Sequence, residues 1–186
     1  MKNPTLNNKK KRLLKILKNN SFKRKRVILS SGKISNFYFD GRISSLYSES
    51  AYLIASIILD MIKKDNISAI GGLTLGADPI IGATVALSFK NGRPLNGFIV
   101  RKDEKKHGMK RKIEGPALKK SSRVLIIDDV ITTGASTIQA IKAVHEIGCK
   151  IKRVIAIVDR LEGGAENIAK YNCKLESIFT KSDFNI

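Results

Sequence analysis

The chain has 186 residues, 42% hydrophobic and 27% charged, enough for one domain with a substantial core and too few for several. Its 35 Lys and Arg against 16 Asp and Glu leave a formal net charge of +19, which draws anionic ligands towards the surface. Two cysteines, Cys149 and Cys173, cannot form a disulfide framework and suit a cytoplasmic protein with reduced thiols.

So large a positive charge has to be weighed as a sign of nucleic-acid binding. The excess is lysine-dominated and scattered along the chain, with no zinc-ligand set, no RNP-like motif and only 6% aromatic residues to stack on bases. A lysine-biased composition explains it, and a nucleic-acid partner is not expected. No membrane span is expected either, since the longest apolar segment, Ala51 to Ile62, is broken by Asp60. At the N-terminus, Lys9, Lys10, Lys11 and Arg12 precede only a short run, Leu13 to Leu17, itself broken by Lys15, which is not the pattern of a secretory signal. The segment is rich in Lys and Asn, whereas transit peptides are rich in Arg and Ser.

Leu6, Leu13, Leu14, Ile16 and Leu17 predict a basic amphipathic helix ending at Asn19 and Asn20. In the stretch Val27 to Arg42 a Ser-Ser-Gly turn separates two strand-like runs and leaves Phe37, Tyr38 and Phe39 together, as in a hairpin with a few aromatic side chains. A helix is predicted over Ser48 to Lys64 and a buried strand over Ile67 to Ile70. Gly71 to Pro79 then reads as a glycine-rich connection into a helix, with Pro79 near the first turn, where backbone N–H groups can approach an anion. After a third strand, Asn96 to Val100, the stretch Arg101 to Pro116 holds one apolar residue of consequence, Ile113, and no hydrophobic period. It is expected outside the core, as a polar lid.

The organising stretch is Arg123 to Ser136, RVLIIDDVITTGAS. Val124 to Ile127 form a short β-branched run suited to a strand buried on both faces, Asp128 and Asp129 stand at its carboxyl end, and Thr132, Thr133, Gly134, Ala135 and Ser136 lead into a helix spaced by Ile138, Ile141, Val144 and Ile147. An ordinary strand-to-helix connection needs one capping residue, whereas this one offers two carboxylates, three hydroxyls and a glycine. Ligands of open α/β sheets bind at the carboxyl ends of strands, where a helix N-terminus suits a phosphate. Paired carboxylates add something a phosphate does not use, namely acceptors for sugar hydroxyls or for a Mg²⁺ carried by the ligand. No Walker loop and no G-x-G-x-x-G after a strand is present. Val154 to Val158 is a further buried strand ending in Asp159 and Arg160, Gly163 to Tyr171 reads as helical, and Lys174 to Phe179 as a last strand.

The apolar strand followed by DDVITTGAS resembles the phosphoribosyl-pyrophosphate (PRPP) signature of the type I phosphoribosyltransferases. Four further stretches resemble the orotate phosphoribosyltransferases within that family: the Ser-Gly turn with Tyr38 and Phe39, the form GGLTLGADP, the lid motif RK-x-x-K-x-HG, and the Asp-Arg pair ending in Arg160. The resemblance departs at Ser30 and Leu75, where many of these enzymes carry lysines. It implies an α/β fold with a parallel-centred sheet flanked by helices, as one domain over residues 1 to 186 with a small N-terminal hood over residues 1 to 45. It also implies that PRPP is held by Arg101, Lys102, Lys105, His107, Asp128, Asp129, Val130, Ile131, Thr132, Thr133, Gly134, Ala135 and Ser136. Lys102, Lys105 and His107 would be the catalytic groups, and Thr132, Arg160, Tyr38 and Phe39 the orotate contacts. Mg²⁺ would arrive on PRPP without direct protein ligands, and the enzyme would be a homodimer whose lid reaches the neighbouring site. Two rival readings are a phosphoribosyltransferase for another base and an RNA-binding regulator built on the same fold. Arg160 with the lid motif speaks against the first, and the second would not need an intact lid motif.

Overall fold

The computed structural model describes residues 4 to 28, 34 to 35, 37 to 102 and 112 to 185. The first helix, α1 (Leu6–Asn20), carries Leu13, Ile16 and Leu17 inward, and its one buried lysine, Lys9, is neutralised by Asp60 at 2.8 Å. Thr5 caps it, its side-chain oxygen accepting the Asn8 N–H. Short antiparallel ladders follow: β1 (Phe22–Lys23) pairs with β4 (Tyr38–Phe39), and β2 (Val27–Ile28) with β3 (Ile34–Ser35). Both runs of the expected hairpin are therefore present, and its Ser-Ser-Gly turn lies outside the described residues.

The chain continues through α2 (Gly41–Ser45), α3 (Ser48–Met61), β5 (Ala69–Leu73), α4 (Asp78–Lys90), β6 (Asn96–Val100) and β7 (Ile113–Glu114). Then come β8 (Arg123–Ile131), α5 (Ala135–Ile147), β9 (Lys150–Asp159), α6 (Gly164–Ala169), β10 (Leu175–Thr180) and a 3₁₀ turn, Lys181–Phe184. Six strands form one sheet in the order β10-β9-β8-β5-β6-β7, parallel except for β7 at the edge. This is the parallel-centred α/β architecture expected from alternating strands and helices.

Alternation along the central strands divides the core in two. Ile70, Leu125, Ile127, Ile155 and Ile157 face a layer that includes Leu13 and Leu17 of α1, Ile54 and Ile58 of α3 and Ile80 of α4. Ala69, Val124, Ile126, Val154 and Ala156 face Ala140, Ile141 and Val144 of α5 and Ile168 of α6. A strand covered on both faces must be apolar throughout, which is why these runs are continuous rather than alternating in sequence.

Several boundaries differ from the sequence reading. Gly71 and Gly72 belong to β5, not to the connection: a Cβ on Gly71 would lie 2.3 Å from the Phe98 ring, and one on Gly72 would lie 2.2 Å from the Ile127 carbonyl oxygen. Their smallness serves close packing within the sheet, and the anion-approach role cannot extend to them. β8 runs four residues past Ile127 because β9 is also long enough to pair with it, up to Ile131 opposite Asp159. The polar stretch after Arg101 is not wholly outside the core: Ile113 and Glu114 form the edge strand, the Arg101 N–H donates to Lys112 at 2.9 Å, and Ile113 packs against the α5-side layer.

Candidate active site

The signature turn leaves β8 at Ile131 and enters α5 through Gly134, whose φ of 81° is the left-handed conformation that glycine adopts without a Cβ penalty. No side chain caps α5, whose N-cap is Gly134, and Ala135 and Ser136 lie inside the helix's first turn. Directly before this turn, Asp128 and Asp129 project from the last residues of β8.

Asp128 is 5% exposed, and its Oδ2 accepts a 2.7 Å hydrogen bond from Thr137 Oγ1 in the first turn of α5. Burial pushes its carboxyl up to about 7, with the charge of Asp129 adding to the shift and the Thr137 hydroxyl opposing it. Asp129 is also raised by burial, and the charge of Asp40 adds to the shift. Two segments close on the Asp129 carboxylate. A Cβ on Gly41 would come within 2.6 Å of Oδ2, and one on Gly76 within 2.7 Å of Oδ1. The hood-side helix α2, the turn after β5 and the end of β8 thus meet at one side chain.

Above it lies a cavity of about 230 Å³ lined by Arg42, Leu73, Thr74, Leu75, Gly76, Lys102, Asp128, Asp129, Val130 and Ser136. An adjoining cavity of about 530 Å³ is bounded by Thr74, Leu75, Asp78, Ile99, Arg101, Lys102 and Glu114. Of the predicted PRPP residues, Lys102, Asp128, Asp129, Val130 and Ser136 therefore share one wall, with Arg101 next to it. Ile131 turns its side chain into the α5-side layer, so the contact expected of it falls to its backbone. Its carbonyl accepts the Arg160 N–H at 2.9 Å. Thr132, Thr133, Gly134 and Ala135 form the backbone entry to α5 and do not line either cavity. Lys105 and His107 lie outside the described residues.

The orotate contacts are dispersed. The Phe39 ring is core, packed edge-on against Phe184 at 5.5 Å, because the pleat of β4 turns it away from solvent, so the contact expected of this residue falls to its backbone. Tyr38 points outward, and its hydroxyl donates to Asp40 at 3.1 Å. Arg160 is 3% exposed, with Nε donating to Glu162 Oε1 at 2.9 Å and the guanidinium carbon 4.0 Å from the centre of the Phe37 ring. Its carboxylate partner here belongs to its own chain.

Sequence reasoning missed Arg42, which forms a two-point ion pair with Asp40, Nε to Oδ1 and Nη2 to Oδ2 both at 3.0 Å, and holds that carboxyl below its ordinary range. Its arrival beside Asp129 depends on folding of the hood, so no local pattern marks it. Thr137 was hidden because its partner, Asp128, meets it only once α5 packs back on β8. Only its place one turn into α5 offered a signal, since a hydroxyl there can reach back to a strand-end carboxylate.

An acidic pair, a glycine-opened helix N-terminus and flanking cations at the carboxyl edge of a parallel sheet are the parts of a sugar-phosphate site, and residues 45 to 184 match the family model described as phosphoribosyl transferase domain. The class is thereby set. The chain is 45% identical to orotate phosphoribosyltransferase of Aquifex aeolicus, over 94% of this chain and 92% of that one. It is 40% identical to that of Rhodopseudomonas palustris, over 93% and 94%. The fold matches the crystal structure of Mycobacterium tuberculosis orotate phosphoribosyltransferase in complex with PRPP, with a TM-score of 0.79, 31% identity and coverage of 96% of this chain and 99% of that one. The chain belongs to the orotate phosphoribosyltransferase family.

Proposed function

We infer that the protein transfers the 5-phosphoribosyl group of PRPP to orotate, giving orotidine 5′-phosphate and pyrophosphate in pyrimidine biosynthesis. The observation that carries this reading is the wall that unites Asp128, Asp129, Ser136 and Lys102, in a chain so similar to named orotate enzymes. The N–H groups opening α5 behind Gly134 would hold the 5′-phosphate. Asp129, facing the cavity, would accept the ribose hydroxyls, and Asp128 would steady it from behind while tied to Thr137.

Breaking the anomeric C–O bond while the base nitrogen forms the new C–N bond moves positive charge onto the sugar and negative charge onto the leaving diphosphate. Lys102, joined by Lys105 and His107 of the lid, would stabilise the diphosphate, and the proton given up by the base nitrogen would be balanced by one that His107 donates to the leaving diphosphate. Mg²⁺ suits the donor set, because the carboxylate oxygens of Asp129 at the cavity are hard ligands that can reach a diphosphate-borne cation or its waters. When bound, Mg²⁺ would neutralise part of the diphosphate charge. Arg160 would read the orotate carboxylate, and Thr132, Tyr38 and Phe39 would contribute the remaining base contacts, Phe39 through its backbone.

A homodimer is part of the proposal, supported by the apolar side chains of Ile43, Leu46, Tyr47 and Tyr52, all exposed on α2, α3 and the connection between them. The buried thiols of Cys149 and Cys173 fit a cytoplasmic location, and no described helix is long and apolar enough to cross a membrane. The test is release of pyrophosphate from PRPP and Mg²⁺ on addition of orotate. Release with another base but not with orotate would reassign the substrate, and no release with any base would overturn the reading.

A further inference from the structure

Arg160 is almost fully buried, and its guanidinium lies with its carbon 4.0 Å from the centre of the Phe37 ring while Nε donates to Glu162 at 2.9 Å. A guanidinium recognises a carboxylate only in its own plane, through its fork of N–H donors, so whatever fixes that plane fixes the direction from which a planar anion can be read. An aromatic face under the cation fixes the tilt, and a carboxylate at Nε fixes the rotation. We propose that Phe37 is a positioning residue for base specificity: its ring holds the Arg160 guanidinium in the plane that accepts the carboxylate of the pyrimidine substrate. The inference rests on the assignment of Arg160 to the orotate carboxylate.

The ring is itself held from behind. Phe37 lies 6.0 Å from Phe22, and Phe22 stacks on Phe184 at 5.7 Å. Phe37 immediately precedes the β4 strand, which pairs with β1, so the platform under Arg160 is supplied by the hood and the cation by the sheet. Base recognition is consequently assembled between two parts of the chain distant in sequence, and the hood contributes to it through a residue next to, rather than within, the aromatic pair expected from the motif.

The experiment compares Phe37→Leu, Phe37→Tyr, Arg160→Ala and the double variant Phe37→Leu with Arg160→Ala by steady-state kinetics in both substrates. Phe37→Leu should raise the orotate KM about tenfold with kcat and the PRPP KM close to wild type. Phe37→Tyr, which keeps the ring, should restore it, and the double variant should be no worse than Arg160→Ala alone, because both changes act through one contact. If the leucine variant does not fold, Phe37→Met, of similar bulk without a ring, carries the same expectation. An orotate KM unchanged in folded Phe37→Leu or Phe37→Met, or losses that add in the double variant, overturns the inference while an Arg160→Ala defect leaves the function standing. An orotate KM unchanged in Arg160→Ala removes the assignment of Arg160 itself.

Discussion

Thr137 Oγ1 and Asp128 Oδ2 are 2.7 Å apart, both buried, joining the first turn of α5 to the strand that bears the acidic pair. Replacing Thr137 with Val removes the donor and keeps the shape, leaving a buried carboxyl without that partner. Stability should fall by about 1 to 3 kcal/mol in denaturant titrations, and the PRPP KM should rise. Thr137→Ser should recover both. A valine variant as stable and active as wild type would reduce the bond to a bystander.

The raised carboxyl of Asp128 has a consequence for stability against pH. Its ordinary value is 3.8, and burial lifts it to about 7, so between these values the native state holds a proton that the unfolded chain has released. Native binding of the extra proton favours folding at the acid end. The contribution of this group is therefore full below about 4, declines as pH rises, and is gone above about 7. Melting temperatures measured across this range in the ligand-free protein should show that decline, and Asp128→Asn should flatten it.

Gly41 and Gly76 test the seat of Asp129. Neither has a positive φ, so alanine is acceptable to the backbone at both, yet its Cβ would fall 2.6 and 2.7 Å from the carboxylate oxygens. Gly41→Ala should displace Asp129 and cut PRPP turnover by more than tenfold while the protein stays folded. Circular dichroism and KM for PRPP decide it together.

Arg153 makes no contact with the site and supplies a contrast. It donates to both oxygens of Glu176, to Asp65 at 2.8 Å and to the Met61 carbonyl at 2.7 Å, fastening β9 to β10 and to the end of α3. Arg153→Ala should cost about 2 to 4 kcal/mol in unfolding free energy with KM values unchanged.

The shared lid is tested by mixing. If Lys105 serves the neighbouring site, Lys105→Ala and Arg160→Ala chains, each nearly inactive, should recover about a quarter of wild-type activity after subunit exchange, since half the dimers are mixed and one of their two sites has both side chains. Exchange without recovery would put the lid over its own site.

The contrast between what the sequence discloses and what it hides follows from range. Val124 to Ile127 and Val154 to Val158 announce a buried parallel sheet because both faces need apolar cover, and Asp128 to Ser136 announces its site because the chemistry is contiguous. Strand ends were less legible, as β8 and β9 extend each other through pairing that neither specifies alone. The functions of Gly71 and Gly72 were misread because Phe98 and Ile127, the groups they make room for, are distant in the chain. Arg42, Phe37 and Glu162 gain their significance from what faces them in space. The fold of the hood determines the encounters of Arg42 and Phe37, and its short strands carry little periodicity.

Phe184, in the final 3₁₀ turn, lies against Phe22 and Phe39 of the hood as well as Phe179 of β10. Synthesis delivers the two hood rings long before the residue that packs on them. During translation the sheet can thus form strand by strand while the hood still awaits its apolar floor, so the hood matures after the acidic pair and the turn into α5 are in place. A nascent chain stalled short of Phe184 would hold a nearly complete nucleotide fold with its hood unsealed, a species for chaperones and proteases to find.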